Sequence, residues 1–209
     1  MEHQGFFCTI EGGDGSGKST LIKSLGARLE SYGKRVLITR EPGGCALGEA
    51  IRDLLLEYQS GVPICGRAEL LLFLAARAQH VHERLMPALA SGCVILCDRY
   101  HDSSIAYQAF GRGVDLGDVE ALCAMASCGL QPQLTFYLDL PVELALQRAH
   151  RRDVADRIES EDVAFHQRCR SGFLEIAKRD PERVMVLDAI KRPEQIVEEA
   201  WQLLIAHMK

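Results

Sequence analysis

Gly12-Gly13-Asp14-Gly15-Ser16-Gly17-Lys18-Ser19 follows the short apolar run Phe6-Phe7-Cys8-Thr9-Ile10 and precedes an amphipathic segment that begins at Thr20. Strand, glycine-rich turn and helix, in that order, form the setting of a phosphate-binding loop. Glycines let the backbone curl so that successive N–H groups face one anion, and the helix N-terminus adds its partial positive charge. Lys18 is predicted to reach the terminal phosphates of a nucleoside triphosphate, and the Ser19 hydroxyl to ligate Mg2+. Gly12 to Ser19, with Thr20, make up the predicted triphosphate cradle.

Working outward, five short runs read as buried strands: 6–11, 36–40, 94–98, 134–139 and 184–188. Each is nearly continuously apolar, the pattern expected when helices cover both faces of a parallel sheet. Longer helical patterns separate them, which predicts an α/β fold: a three-layer α/β/α sandwich with a five-stranded parallel sheet. Three of the runs end in Asp and the others in Glu11 and Arg40. Ligands of open α/β sheets lie outside the carboxyl ends of the strands, so these charges point to one crevice.

The 209 residues fit one domain, and a formal net charge of −5 argues against a partner held through nucleic-acid phosphates. Met1-Glu2-His3-Gln4 is not a basic leader, and no apolar stretch reaches membrane-spanning length. The eight cysteines include no C-x-x-C pair, and several sit inside apolar runs as small hydrophobes, so reduced thiols and a cytoplasmic setting are expected. His80 and His82, two apart on a predicted helix, do not share a face and make a poor metal pair. That helix, 67–82, contains Leu70-Leu71-Leu72-Phe73-Leu74-Ala75-Ala76 and is apolar around its circumference. Either it is buried within one chain, or a second copy closes one face. Pro193 is predicted to start the last helix, with Ile196, Val197, Ala200, Trp201, Leu204 and Ile205 toward the core.

The loop alone does not name a reaction, since motor ATPases, GTP switches and small-molecule kinases share it. Further motifs narrow the choice. Thr39-Arg40-Glu41-Pro42-Gly43-Gly44 ends the second strand, and Phe73 and Arg77-Ala78-Gln79-His80 lie on the apolar helix. Asp98-Arg99-Tyr100 ends the third strand, followed by Asp102-Ser103-Ser104-Ile105-Ala106-Tyr107-Gln108, and Asp156-Arg157-Ile158-Glu159 falls in a basic stretch after the fourth. In this order and over nearly the whole chain, the set resembles the bacterial thymidylate kinases.

The resemblance implies transfer of a phosphoryl group from ATP–Mg2+ to dTMP, giving dTDP for dTTP synthesis, in a homodimer of single-domain chains with a mobile lid at about 148–160. It implies Lys18 and Arg99 as catalytic cations, with Arg99 bridging the acceptor phosphate and the transferring group. Asp98, at the end of Val94-Ile95-Leu96-Cys97, would hold Mg2+ through water alongside Ser19, although Asp98 and Arg99 also suit a structural ion pair. Arg52 and Glu41 would lie near the acceptor phosphate. Phe73, which composition alone reads as core, would stack on thymine; Arg77 would donate to a pyrimidine carbonyl, and Ser104 or Gln108 would address the N3 edge. Tyr107 would press where a ribonucleotide carries its 2′-hydroxyl, and Asp14 would accept from the 3′-hydroxyl. The loop has no arginine, so a lid cation, Arg152 or Arg157, would complete catalysis, and Arg148 would stack on adenine. A solvated charged face is the plainer reading of that cluster. The nearest rivals are a kinase for another nucleoside monophosphate or for a deoxynucleoside, the latter with Glu41 as general base. A GTP switch would carry an N/T-K-x-D guanine motif, and none is present.

Overall fold

A computed structural model describes residues 5–58, 62–149 and 156–208. Its strands are β1 (Phe6–Glu11), β2 (Val36–Arg40), β3 (Val94–Asp98), β4 (Leu134–Asp139) and β5 (Val184–Asp188), with the predicted boundaries. They form one parallel sheet in the order β2-β3-β1-β4-β5. The glycine-rich loop leaves β1, the central strand, and β3 pairs beside it with Ile10 opposite Asp98. The carboxyl ends of these two strands therefore put the loop and the Asp98-Arg99-Tyr100 turn side by side.

Alternation along the strands sorts the two faces. Cys8, Ile10, Val94, Leu96, Leu134, Phe136 and Leu138 pack beneath α1 (Lys18–Ser31), which contributes Leu21, Leu25 and Leu29. The last helix adds Ile196, Ala200, Trp201 and Leu204 to the same cluster, and Pro193 begins it as expected. Phe7, Ile95 and Cys97 face the other way, against Val81, Leu85, Leu89 and Tyr100. Burial of such side chains is worth roughly 1.5–3 kcal/mol each, so both helical layers are held by the sheet rather than by helix propensity.

On this second face, α2 (Ala46–Glu57) packs on α3 (Gly66–His80). The backbone of α3 continues through a π-helical turn at Val81–Leu85 into α4 (Met86–Ala90). After β3 comes the short α5 (His101–Ser104), which runs into a second π turn at Ile105–Gly111. Then follow α6 (Leu116–Ala126), α7 (Val142–Ala149), α8 (Val163–Arg179) and α9 (Pro193–His207). Neither π turn was read from the sequence, because no proline or glycine pair marks the widened backbone. Of the two readings of α3, burial within one chain does not hold: Leu70, Leu74 and Ala76 are buried, but Leu71 is 57% exposed in the single chain. Among the described residues no helix is long and apolar enough to cross a membrane.

Candidate active site

A cavity of about 520 Å3 opens at the carboxyl ends of β1, β2 and β3. Its wall includes Asp14, Gly15, Gly17, Lys18, Ser19, Thr20, Glu41, Arg52, Phe73, Arg77, Asp98, Arg99, Ser104, Tyr107, Gln108 and Arg148. The glycine-rich loop, α3 and the end of α7, far apart in sequence, thus share one space.

The loop is built for an anion. Gly12 has φ 142°, and a Cβ there would lie 2.8 Å from the Leu138 carbonyl oxygen, so only glycine fits. Gly17, at φ 100°, delivers the chain into α1, whose N-terminus has no side-chain cap and no acidic residue in its first turn. Its leading N–H groups therefore face the cavity mouth unneutralised. The Lys18 ammonium donates to the carbonyls of Gly12 and Gly13, both at 3.1 Å, and lies 3.7 Å from Asp14 Oδ1. Burial, then the Arg99 charge, hold its pKa below the ordinary lysine value. Gly12, Gly13 and Ser16 do not line the cavity themselves; they form the back of the loop that presents it.

Arg99 adopts φ 68°, a left-handed conformation that is costly for a bulky residue. Both sides of the turn are tied down. The Arg99 amide donates to the Ile10 carbonyl at 3.0 Å. The next amide, of Tyr100, donates to Glu11 Oε1 at 2.7 Å. Ser103 Oγ donates to Glu11 Oε2 at 2.6 Å. The result aims the Arg99 guanidinium over the Tyr107 ring, 5.1 Å from its centre, with Nη2 donating to Asp14 Oδ1 at 2.9 Å. Burial opposes that charge, but Tyr107, Asp14 and Asp98 hold its pKa well above the ordinary value. Glu11 was not singled out from the sequence. Its signal was a carboxylate closing an otherwise apolar strand; burial, then Asp102, push its pKa up to about 7.

The wall formed by α3 is braced by a chain of bonds. Arg77, 2% exposed, donates through Nε to Glu41 Oε2 at 2.7 Å and through Nη2 to the Tyr100 carbonyl at 2.9 Å. Its Nη1 points at Cys123 Sγ, 3.3 Å away. His80 Nδ1 lies 3.0 Å from Glu41 Oε1, and its Nε2 lies 2.7 Å from Thr39 Oγ1. A carboxylate only accepts, so Nδ1–H donates to it, while Nε2 shares a hydrogen bond with the Thr39 hydroxyl. Both Glu41 oxygens are thereby engaged. Burial works against the Arg77 charge, yet Glu41 outweighs it and raises its pKa. Arg52 donates to the Pro42 carbonyl at 3.0 Å. Arg148 donates to the Ala189 carbonyl at 3.4 Å.

Asp98 Oδ1 is buried and has no hydrogen-bond partner among the described residues. With Ser19 on the same cavity wall, that orphaned carboxylate oxygen suits a cation shared with phosphate oxygens. Arg157, one of the two expected lid cations, turns away from the cavity. It is absent from the cavity wall; its Nη2 donates to the buried Glu69 at 2.6 Å and its Nε to the Leu55 carbonyl at 2.9 Å. Asp156, Ile158 and Glu159, its neighbours, do line the cavity. Arg152, the other expected lid cation, lies outside the described residues, as do His150 and Arg151.

His101 stacks on Tyr100 with ring centres 4.2 Å apart, and burial, then Arg77, push its pKa down to about 2. In the unfolded chain it titrates near 6.5, so acid protonates the unfolded state first and stability falls as pH drops below that value. Between pH 6.5 and pH 5 the loss is expected to be about 2 kcal/mol. Urea unfolding of wild type and His101→Phe at pH 7 and pH 5 checks this. Equal acid losses in the two proteins would contradict a neutral, buried imidazole.

A phosphate cradle on a parallel sheet, with converging guanidinium groups beside it, defines a P-loop nucleotide kinase. The thymidylate kinase family model matches residues 10–200. Proteins named thymidylate kinase from Protochlamydia amoebophila and Deinococcus radiodurans are 43% and 47% identical, over 96% and 95% of this chain and 92% and 95% of theirs. The crystal structure of thymidylate kinase from Ehrlichia chaffeensis superposes with a TM-score of 0.77 at 33% identity, covering 96% of this chain and 98% of that one. The chain belongs to the thymidylate kinase family.

Proposed function

We propose that this chain is a cytoplasmic dTMP kinase that moves the γ-phosphoryl group of ATP to dTMP and releases ADP and dTDP. The observation that carries the reading is one cavity bounded by the phosphate loop on one side and by Phe73, Arg77 and Gln108 on the other. An acceptor phosphate has a second pKa near 6 and is largely dianionic at neutral pH, so it attacks without a strong base. The engaged state of Glu41 agrees with that. With Arg77 and His80 on its two oxygens, it is poorly placed to strip a proton from a nucleoside hydroxyl. A monophosphate acceptor is favoured over a deoxynucleoside.

The work of the site is to hold two anions in line and to screen their repulsion. Lys18 turns from the loop carbonyls toward the terminal phosphates, and Arg99, held by Asp14, is the cation between donor and acceptor. Asp14 also serves as acceptor for the sugar 3′-hydroxyl. Asp98 and Ser19 are the residues that would hold Mg2+; when bound, the ion neutralises charge on the phosphate oxygens. Arg52 serves the acceptor phosphate, Phe73 stacks on the base, and Arg77, Ser104 and Gln108 read its edge. Arg148 flanks adenine. With Arg157 bound to Glu69, Arg152 remains the lid cation of choice. Leu47 and Leu54 of α2 and Leu71 of α3 are exposed on adjacent helices, a face suited to a second copy in a homodimer.

ADP release with ATP–Mg2+ and each nucleoside monophosphate in turn tests the reading, with thymidine as the non-phosphorylated control. Turnover dominated by dTMP supports it; preference for a purine nucleotide or for thymidine overturns it. Tyr107, 7% exposed and edge-on to Phe173, is fixed too firmly to yield to an added hydroxyl. Tyr107→Ala is therefore expected to lower the kcat/KM ratio of the deoxyribo over the ribo substrate about tenfold. An unchanged ratio removes Tyr107 from sugar selection.

A further inference from the structure

Glu69 is a lone carboxylate at the start of the apolar helix, one turn before Phe73, and it is 0% exposed. Four donors converge on it. Arg112 gives Nε to Oε1 and Nη2 to Oε2, each at 3.1 Å. Arg157 gives Nη2 to Oε2 at 2.6 Å. Gln108 gives Nε2 to Oε1 at 3.1 Å. Arg112 also donates to Glu161 at 2.6 Å, so two guanidinium groups balance two carboxylates. Burial alone would raise the Glu69 pKa, but Arg112 and Arg157 hold it below the ordinary value.

An ionised carboxylate accepts and never donates. Gln108 can therefore meet Glu69 only with its amide nitrogen, which takes up one of its two amide hydrogens and leaves its carbonyl oxygen to accept from another group. Gln108 lines the cavity beside Phe73 and Arg77. An acceptor there pairs with a pyrimidine N3 that carries hydrogen, as in thymine or uracil. It repels the N3 lone pair of cytosine.

We propose that Glu69 is a positioning residue for acceptor choice: it locks the Gln108 amide with its oxygen toward the cavity and so selects bases with a protonated N3. The same carboxylate anchors Arg157, so the segment 156–159 is tied to the base-reading wall through one group. This rests on the reading that the cavity takes a pyrimidine nucleoside monophosphate.

The test is kcat/KM for dTMP and for dCMP in wild type, Glu69→Gln, Gln108→Leu and the double variant, with thermal melts alongside. Glutamine keeps the size of Glu69 but brings its own donors, which frees Gln108 to turn. The dTMP-to-dCMP ratio is expected to fall about tenfold or more in Glu69→Gln. In the Gln108→Leu background the same change should leave the ratio where Gln108→Leu alone puts it. A folded Glu69→Gln with the wild-type ratio overturns the proposal, and so does a further fall in the double variant. Glu69→Asp keeps the charge but shortens its reach to Gln108 and the arginines alike, and it is read the same way if Glu69→Gln does not fold. A wild type that ignores dTMP would instead sink the functional reading.

Discussion

Lys18→Ala is expected to lower kcat with dTMP by at least about a hundredfold while the protein stays folded. Lys18 begins α1, and among the described residues its ammonium bonds to loop carbonyls and lies near Asp14, so its loss opens no apolar core. The loop conformation is set by glycines and by the sheet beneath, which alanine leaves in place. What disappears is a positive charge placed at the loop, where it would stabilise charge developing on the transferring phosphoryl group. Saturating turnover measured as ADP release, with a circular-dichroism melt, checks the prediction. Near-normal kcat in a folded variant would take Lys18 out of phosphoryl transfer.

Arg99 should matter as much, and here two contributions need separating. Its guanidinium is aimed by a backbone at φ 68°, a strain of roughly 1–2 kcal/mol that Glu11 and the Ile10 carbonyl sustain. Arg99→Ala keeps the strained backbone and deletes the charge; Arg99→Gly deletes the charge and relieves the strain. Both are expected to lose at least about a hundredfold in kcat, with glycine the more stable of the two. Arg99→Lys should recover little, because an ammonium cannot bond two phosphates with a planar fork. If glycine restored activity, the residue would be there for the turn and not for its charge.

The sheet was legible because buried parallel strands are written locally: continuous apolar runs such as Leu134–Asp139, each closed by a charged residue at the crevice. The phosphate loop was equally local. Residues that act through partners were harder to see. Glu11 meets Tyr100 and Ser103, and Glu69 meets Gln108, Arg112 and Arg157, across separations that no periodicity records. A solitary carboxylate in front of Leu70-Leu71-Leu72-Phe73 was the available sign that something must neutralise it. Arg157 looked like one cation among several in a basic stretch, and only the fold shows it turned toward Glu69. The composition of α3 left open whether one chain buries all of it, and helix packing leaves the Leu71 side open in one chain.

The central claim is that one cavity brings ATP and dTMP together for direct transfer. Incubating the protein with Mg2+, dTMP and ATP labelled in its γ-phosphoryl group, then separating the products, tests it most directly. Label recovered in dTDP, in equal amount to the ADP formed and absent when thymidine replaces dTMP, is the predicted result. Label released as inorganic phosphate, or carried to another acceptor while dTMP is untouched, would contradict it.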